Sequence, residues 1–390
     1  MHTRSRQYLT WTALGVSAAL ALTGCAATTA ASSTTDSSGT ADGLAYATAQ
    51  IEKFSADPEF TFDAEPFAMA DIAGKTIFNI PNTSAIPFIV TVSEETQKVA
   101  ERYGATWVEY TNQGSPTEHT AGIDQAISQG ADVILLSQGI NGELLVPALE
   151  RAKAADIPVV VTHTIQDGEP IPASIEDLVA GQVTAPFNES GRLSADWAIQ
   201  ETEGKGNILL VNTAEVPVAG GIIDAMKDEI ATNCPECTVK EVNVPLADWA
   251  TKISTSVQSE IQINPELDYV LPVFDSMALF VEAGVVAAGK VGQVKAASFN
   301  GTPAVLKIMQ EGDVLAMDVG ESMPWLGWAT MDQVGRVLTG APVVEDGFAQ
   351  TPLKVFTKEN VDETGTPPGS TEGYGDAYIA GYEALWGQPQ

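Results

Sequence analysis

The sequence predicts an α/β protein made of two lobes, each of which is a doubly wound parallel sheet. Apolar strand-like runs alternate with amphipathic helix-like runs, and this alternation starts again after a loop at 166–175. The length of 390 residues suits two domains of ordinary size. Because the strands are apolar throughout, helices should cover both faces of each sheet. The carboxyl ends of the two sheets should then face a shared crevice, where such sheets bind ligands.

Each lobe follows from short β-rich runs separated by helical periodicity. In the first lobe we predict strands at 75–80, 105–110, 131–136 and 157–162, with helices at 94–103, 117–129 and 142–155. In the second lobe we predict strands at 207–211, 238–243, 267–273, 294–299 and 314–318, with helices at about 187–201, 218–232, 251–263, 276–288 and 303–311.

The N-terminus has the pattern of an export signal. Arg4 and Arg6 precede an apolar run at 9–22, which is too short to span a bilayer as a mature helix. The run ends at Leu-Thr-Gly-Cys25, which resembles the lipobox of bacterial lipoproteins, in which the cysteine is acylated and becomes the new N-terminus. The alternative is an ordinary export signal with a chance cysteine. Lipidation would anchor the chain through Cys25.

Residues 26–43 are almost wholly Ala, Ser, Thr, Gly and Asp, and we expect them to form a flexible tether. Residues 44–54 carry apolar side chains at helical spacing, and an extended stretch follows to residue 70. Folding of the first lobe should begin near Gly74.

The charge balance excludes several classes of partner. The chain has 19 Lys and Arg against 51 Asp and Glu, a net charge of −32, which becomes −34 once the signal is removed. A chain this acidic repels phosphate backbones and anionic lipid headgroups, so we expect no nucleic-acid partner.

A search for catalytic and metal-binding motifs finds one formal match. Only His119 and His163 remain after signal removal, and neither lies at metal-ligand spacing from another His or Cys, so we predict no metal and no cofactor. Cys234-Pro-Glu-Cys237 has the Cys-x-x-Cys spacing of a redox motif, but it follows a predicted helix where a redox motif would open one. We therefore favour a disulfide between Cys234 and Cys237 that pins a turn.

Four stretches resemble one known family. They are Ser-Ala-Ile-Pro-Phe at 84–88, Ile-Pro-Val-Val at 157–160 with His-Thr just beyond, Phe-Asp-Ser-Met-Ala at 274–278 and Ser-Phe-Asn-Gly-Thr-Pro at 298–303. Their order and spacing over about residues 73–358 resemble the type I periplasmic binding proteins of the ribose-binding kind, the extracytoplasmic receptors of ABC importers. Sugar-responsive repressors share this fold, but the export signal and the charge of the chain exclude a DNA-binding role.

The resemblance implies a ligand clamp whose lobes are joined by a three-segment hinge, with crossings near Val183, at 320–321 and at 350–353. It also implies a monomer that works with ABC permease subunits and is not an enzyme. The resulting organisation is a signal at 1–24, a lipidated cysteine with tether and extension at 25–71, a first lobe at 72–183 plus 322–349 and a second lobe at 184–321 plus 350–390.

Carried onto this sequence, the family's ligand positions are only partly polar. The positions implied are Ile86, Phe88, His163, Thr164, Ile222, Trp249, Phe274, Asp275, Asn300 and Glu321, and Trp325 is a further candidate wall. Several positions that carry Asn, Asp or Arg in sugar-binding members hold Ile86, His163, Thr164, Ile222 and Phe274 here. Other interpretations stay open, because His163 could be a core histidine, Asp275 a helix cap and Asn300 a turn residue, and the register around Glu321 can shift by one.

The missing polar partners disfavour a sugar in the family's usual pose. A buried hydroxyl without a partner costs about 1–3 kcal/mol, so three of them would cost about 3–9 kcal/mol, comparable to the roughly 8 kcal/mol of micromolar binding. We therefore expect a less hydroxylated ring compound as the ligand, aromatic or alicyclic and with one amine or carbonyl group, and a sugar-like compound is the alternative. The alternatives to import are a sensor that presents its ligand to a membrane signalling receptor and an extracellular α/β enzyme.

Overall fold

A computed structural model describes residues 36–344 and 351–387. The predicted signal at 1–24, Cys25 and residues 26–35 of the predicted tether lie outside these residues. The chain forms two sheets of five and six strands, in the strand orders β2-β1-β3-β4-β5 and β11-β10-β9-β8-β6-β7.

The first lobe has a fully parallel sheet. Its strands are β1 (Thr76–Pro81), β2 (Thr106–Glu109), β3 (Val133–Ser137), β4 (Val159–Gln166) and β5 (Gly181–Ala185). Its helices are α2 (Pro87–Arg102), α3 (Pro116–Gln129), α4 (Val146–Ala154), α10 (Met323–Thr339) and α11 (Ala377–Trp386). Successive residues of β1 alternate between two cores, since Ile77 joins one hydrophobic cluster and Phe78 the other. Helices therefore cover both faces, as the apolar strands predicted.

The second lobe is parallel except for its last strand, which pairs antiparallel with the strand before it. Its strands are β6 (Asn207–Asn212), β7 (Thr238–Asn243), β8 (Tyr269–Pro272), β9 (Lys295–Asn300), β10 (Leu315–Glu321) and β11 (Leu353–Thr357). Its helices are α1 (Asp36–Phe54), α5 (Phe187–Glu201), α6 (Ala219–Asn233), α7 (Ser254–Ile263), α8 (Asp275–Ala287) and α9 (Pro303–Glu311). All nine predicted strands are present within a few residues, and β5 and β11 are additional.

The prediction of a flexible tether through residue 43 is wrong for its last part. Helix α1 begins at Asp36 and lies against α5 and α6. Thr40 is buried, and Gly43 packs so closely on Asn233 that an added Cβ would lie 2.1 Å from the Asn233 carbonyl oxygen. Tertiary packing thus stabilises a helix that its own composition would not.

The assignment of the whole stretch 350–390 to the second lobe also needs correction. Strand β11 does extend the second sheet, but Tyr378, Tyr382 and Trp386 of α11 pack in the first-lobe core beside α10. Trp386 stacks on Trp328 with ring centroids 5.1 Å apart. The chain therefore crosses between the lobes again after β11, and the stretch from α1 to Phe62 makes a further crossing before β1.

Cys234 and Cys237 are joined by a disulfide at the C-terminal end of α6, with their Cα atoms 5.3 Å apart. The turn lies where strand β7 begins, and the amide of Gly206 donates a hydrogen bond to Cys237 Sγ. No helix among residues 36–344 and 351–387 is both long enough and apolar enough to cross a membrane.

Candidate functional site

A cleft lies between the lobes at the carboxyl ends of the strands. It holds about 550 Å³ of space, counting the part that is open to solvent. The lining side chains come from both lobes and are Asn82, Ile86, Phe88, Ile89, Gln138, Gly139, His163, Val216, Val218, Leu246, Trp249, Phe274, Ser276 and Asn300. Most of them are apolar, as the sequence predicted for this crevice.

Three aromatic side chains form walls of the cleft. Phe88 follows Pro87 in the first turn of α2, where proline favours the start of a helix. Trp249 follows β7 of the opposite lobe, and its indole nitrogen lies 3.4 Å from the hydroxyl oxygen of Thr213. Phe274 is the residue immediately before α8. All three reach the cleft from element ends, which is where a doubly wound sheet places ligand contacts.

Ile86 joins the two lobes across the cleft. It precedes α2 and packs against the hydrophobic cores of both lobes. A polar side chain at this position would have to be desolvated between the cores. Ile86 therefore contributes an apolar surface to the cleft.

Three polar lining residues have positive φ angles. Gln138 (φ 65°) follows β3 and Asn300 (φ 147°) ends β9. His163 (φ 56°) lies within β4, where the pairing with β5 is irregular between Thr162 and Gln166. Such conformations are uncommon for residues other than glycine and are concentrated at functional sites. Gln138 Oε1 is buried without a hydrogen-bond partner among the described residues.

His163 and Glu321 form a buried pair beside the cleft. The Nε2 atom of His163 lies 2.7 Å from Glu321 Oε2, and the two side chains are 7% and 0% exposed. The His163 ring also contacts Phe88, at 5.4 Å between centroids, and Phe187, at 4.6 Å. Glu321 therefore fixes the ring that lines the cleft, while Glu321 itself stays behind it.

Asp275 lies behind the cleft wall, completely buried. Its Oδ2 accepts a hydrogen bond of 2.7 Å from the amide of Thr302, and burial raises its pKa to about 6. Asp318, on the neighbouring strand β10, accepts from the amide of Gly301 at 2.7 Å and from the Ser298 hydroxyl. Burial, and then the charge of Asp275, raise the pKa of Asp318 well above its usual value. Both acids thus hold the 298–302 turn that presents Asn300 to the cleft.

Some of the predicted ligand positions lie elsewhere. Ile222 is completely buried in the core of the second lobe, and Trp325 is buried in an aromatic cluster with Phe60 and Tyr378. The Thr164 hydroxyl donates to the Thr162 carbonyl at 3.1 Å and does not line the cleft. Ile222 and Trp325 do not line the cleft, because their helices orient both side chains toward the hydrophobic cores. Matching single sequence positions to a family cannot show how a helix is rotated.

The prediction missed more than half of the lining residues, which are Asn82, Ile89, Gln138, Gly139, Val216, Val218, Leu246 and Ser276. Two of them could have been found, because Asn82 and Gln138 directly follow strands β1 and β3 at their carboxyl ends. Asn82 is further held by His119, whose Nε2 lies 2.8 Å from the Asn82 carbonyl oxygen. Within the described part of the chain, no group of three or more His, Cys, Asp or Glu could hold a metal ion.

Comparison with known proteins gives a family model and several relatives. The model described as "Periplasmic binding protein domain" matches residues 77–342. The D-apiose import binding protein of Actinobacillus succinogenes is 26% identical over 232 residues, which cover 59% of this chain and 71% of that protein. The ribose import binding protein of Escherichia coli is 23% identical over 274 residues, covering 70% of this chain and 88% of that protein.

Solved structures share the fold. An ABC sugar transporter subunit from Rhodobacter sphaeroides superposes with a TM-score of 0.63 at 20% identity, covering 74% of this chain and 100% of that one. An ABC transporter solute-binding protein from Agrobacterium vitis with bound allitol gives a TM-score of 0.64 at 19% identity, covering 75% and 98%. At these identities the likeness concerns the two-lobed fold and not the ligand.

Proposed function

The chain belongs to the periplasmic binding protein domain family and is a binding protein rather than an enzyme, and from this premise we propose that it captures a small, hydroxyl-poor ring compound for an ABC importer. The relatives with assigned roles support import, since two of them are named import binding proteins for D-apiose and ribose. Lobe closure on the ligand would be the signal that the permease subunits detect.

The apolar character of the cleft supports the proposed ligand class. Eight of its lining side chains are aliphatic or aromatic, namely Ile86, Phe88, Ile89, Val216, Val218, Leu246, Trp249 and Phe274. A sugar has a hydroxyl on nearly every ring carbon, and each buried hydroxyl without a partner costs about 1–3 kcal/mol. The polar lining groups are few, so a ring with one or two polar substituents fits this surface better.

The position of Ile86 is the single observation that best supports the proposal. It lies between the hydrophobic cores of both lobes, so its apolar contact forms only when the lobes approach each other. Burial of a hydrophobic side chain at this point stabilises the closed form at about 25 cal/mol per Å² of apolar area. A ligand that extends this apolar surface would favour closure further.

Thermal-shift screening of the full chain against sugars, polyols and ring compounds with few hydroxyls tests the ligand class. We expect the largest stabilisation from the ring compounds, and Trp249→Ala should abolish it. Trp107→Ala is the matched control, because Trp107 lies on β2, away from the cleft residues. The proposal would be contradicted if ribose or glucose raised the melting temperature most and the ring compounds did not raise it.

We further propose that Cys25 carries a lipid and anchors the protein at the extracytoplasmic face of the cell membrane. The support is the sequence, in which Cys25 ends the apolar run of the export signal and a small polar stretch follows. Cys25→Ser should move the protein from the membrane fraction to the supernatant. Retention of the serine variant in the membrane fraction would contradict lipid anchoring.

A further inference from the structure

The cleft has no formally charged lining residue apart from the titratable His163. None of its fourteen lining residues is a lysine, arginine, aspartate or glutamate. Solutes that carry a carboxylate or phosphate are usually bound by arginine, lysine or a helix N-terminus. The lining therefore offers an anionic ligand the first turns of α2 and α8 but no cationic side chain other than His163, whose ring is already held by Glu321.

Directly behind the lining lies a buried carboxyl cluster made of Asp275, Asp318 and Glu321. All three residues are 0% exposed. Asp275 stands between the lining residues Phe274 and Ser276, and Glu321 bonds to the lining residue His163. The three are close enough together that each raises the pKa of the buried Tyr374 hydroxyl, after the larger effect of burial.

The carboxyl cluster lacks compensating positive charge. Among the described residues no lysine or arginine forms an ion pair with any of its three members, and His163 is the one basic group in contact with it. Glu321 Oε1 is buried and has no hydrogen-bond partner within 36–344 and 351–387. Asp167, which is partly buried and held by Thr184, adds a fourth carboxyl group near Glu321 and His163. Uncompensated buried carboxylates favour a positive charge nearby.

The aromatic walls suit a cation as well. Phe88, Trp249 and Phe274 surround the same space, and ring faces attract an ammonium group most strongly where water is excluded. An amide acceptor, Gln138 Oε1, is buried at the same cleft and has no hydrogen-bond partner in the described part of the chain. A ring compound with an amine would use the apolar walls, the ring faces and the negative potential together.

We infer that the ligand is a small cationic ring compound, an alicyclic or arylalkyl amine, bound between the aromatic walls and attracted by the buried carboxyl cluster behind them. This inference rests on the proposed function and narrows its ligand class. A neutral ring would gain only the apolar contacts, whereas an ammonium group would also gain the attraction of the carboxylates that are ionised. Its positive charge would in turn favour ionisation of the buried acids, whose pKa values burial raises.

Matched probe pairs test the charge of the ligand separately from its ring. Calorimetric titration and thermal shift of the full chain would compare benzylamine with benzyl alcohol and cyclohexylamine with cyclohexanol, with D-ribose as the sugar arm. We expect each amine to bind about tenfold or more tightly than its alcohol at pH 7. The preference should grow between pH 5 and 7, because Asp275, with a pKa of about 6, ionises in this range.

The charged and titratable groups around Asp275 are Asp318, Tyr374, Glu321 and His163. Burial raises the pKa values of Asp318 and Tyr374, and both groups can only become more negative as the pH rises. Amine affinity should therefore rise monotonically with pH over this range, while alcohol affinity stays level.

Substitutions separate the carboxyl cluster from general effects. Asp275→Asn keeps the shape and removes the charge, so the preference for amines should fall about tenfold. Asp124→Asn is the control, because it removes an equal charge from an exposed ion pair with Arg151. If Asp275→Asn does not fold, Trp249→Phe and Trp249→Leu take its place in the test. Only the leucine variant should lose the preference for amines over alcohols, because phenylalanine keeps an aromatic ring face for the ammonium group.

Each outcome decides between the two proposals. Alcohols that bind as tightly as their amines would overturn the cationic ligand and leave a hydroxyl-poor ring in place. Binding of D-ribose alone would overturn both. Absence of binding by every amine would also overturn the inference, whatever the neutral compounds do.

Discussion

The Nε2 atom of His163 lies 2.7 Å from Glu321 Oε2, and this contact joins the two lobes. His163 belongs to β4 of the first sheet, and Glu321 ends β10 of the second sheet just before the chain crosses over. Both side chains are buried, so the pair is shielded from water and salt. The contact therefore couples the position of a cleft-lining ring to the hinge.

Removal of Glu321 should destabilise the protein markedly. Loss of one partner of a buried pair costs about 3–5 kcal/mol, because the other partner stays buried and unpaired. We expect this loss for Glu321→Ala, and a smaller loss for Glu321→Gln, which can still form a hydrogen bond with His163. Urea denaturation measures both. Asp124→Ala, which breaks the exposed pair with Arg151, should cost less than about 1 kcal/mol, and an equal loss there would contradict the special role of Glu321.

Asp196 should make stability fall as the pH rises. Burial, and then the charge of Glu229, raise the pKa of Asp196 from 3.8 to about 8. Between these values the folded state holds a proton that the unfolded state has released, so stability is greatest at low pH and declines up to about pH 8. Asp196→Asn should flatten this dependence in urea titrations between pH 5 and 8.

The charged and polar groups around Asp196 define the control for that experiment. Arg192, Glu189 and Tyr46 face the Asp196 and Glu229 pair from α5 and α1. Asp124→Asn removes a carboxylate from an exposed position and should leave the pH dependence unchanged. An unchanged slope in Asp196→Asn would show that the buried acid does not hold its proton in the folded state.

Tyr374→Phe should keep or increase stability. The Tyr374 hydroxyl is buried and has no hydrogen-bond partner among the described residues. Removing such a group can raise the free energy of unfolding by about 1–3 kcal/mol. Gly320→Ala should do the opposite, because its Cβ would lie 2.2 Å from this hydroxyl and 2.5 Å from the Phe356 ring. Thermal unfolding compares the two variants. A marked loss of stability in Tyr374→Phe would reveal a bond to this hydroxyl, for example from a buried water.

Lys354 should hold the two terminal segments together at the hinge. It is 1% exposed and its Nζ lies 2.6 Å from Asp57 Oδ1, 2.7 Å from Glu363 Oε2 and 2.7 Å from the Gly373 carbonyl oxygen. Lys354→Met keeps the length of the side chain and removes these bonds, so amides at 55–62 and 358–376 should exchange hydrogen faster.

The control for Lys354→Met is Lys358→Met. The Lys358 ammonium bonds to the carbonyl oxygens of Gln310 and Gly312 and lies on the surface of the second lobe. Its removal should leave exchange at 55–62 unchanged. If both segments are as well protected from hydrogen exchange in Lys354→Met as in the unsubstituted protein, the aromatic contacts of α11 hold them without the lysine.

The aromatic walls of the cleft were implied by the resemblance of the sequence to the family, and in the structure all three stand at element ends. Phe88 follows the Pro that starts α2, and Phe274 precedes α8. Trp249 lies in the segment after β7. Ile222 and Trp325 could not be placed, because whether a helical residue faces a cleft or a core depends on how the helix is rotated against its neighbours.

The sequence by itself determined the alternation of strands and helices in both lobes, since hydrophobic periodicity and turn residues are local properties. Only the tertiary structure decided the rest. Helix α1 forms on the second lobe, α11 returns to the first, and Glu321 pairs with a histidine 158 residues away. These features depend on burial between distant segments, and burial also decides which carboxyl groups stand behind the cleft without a cation.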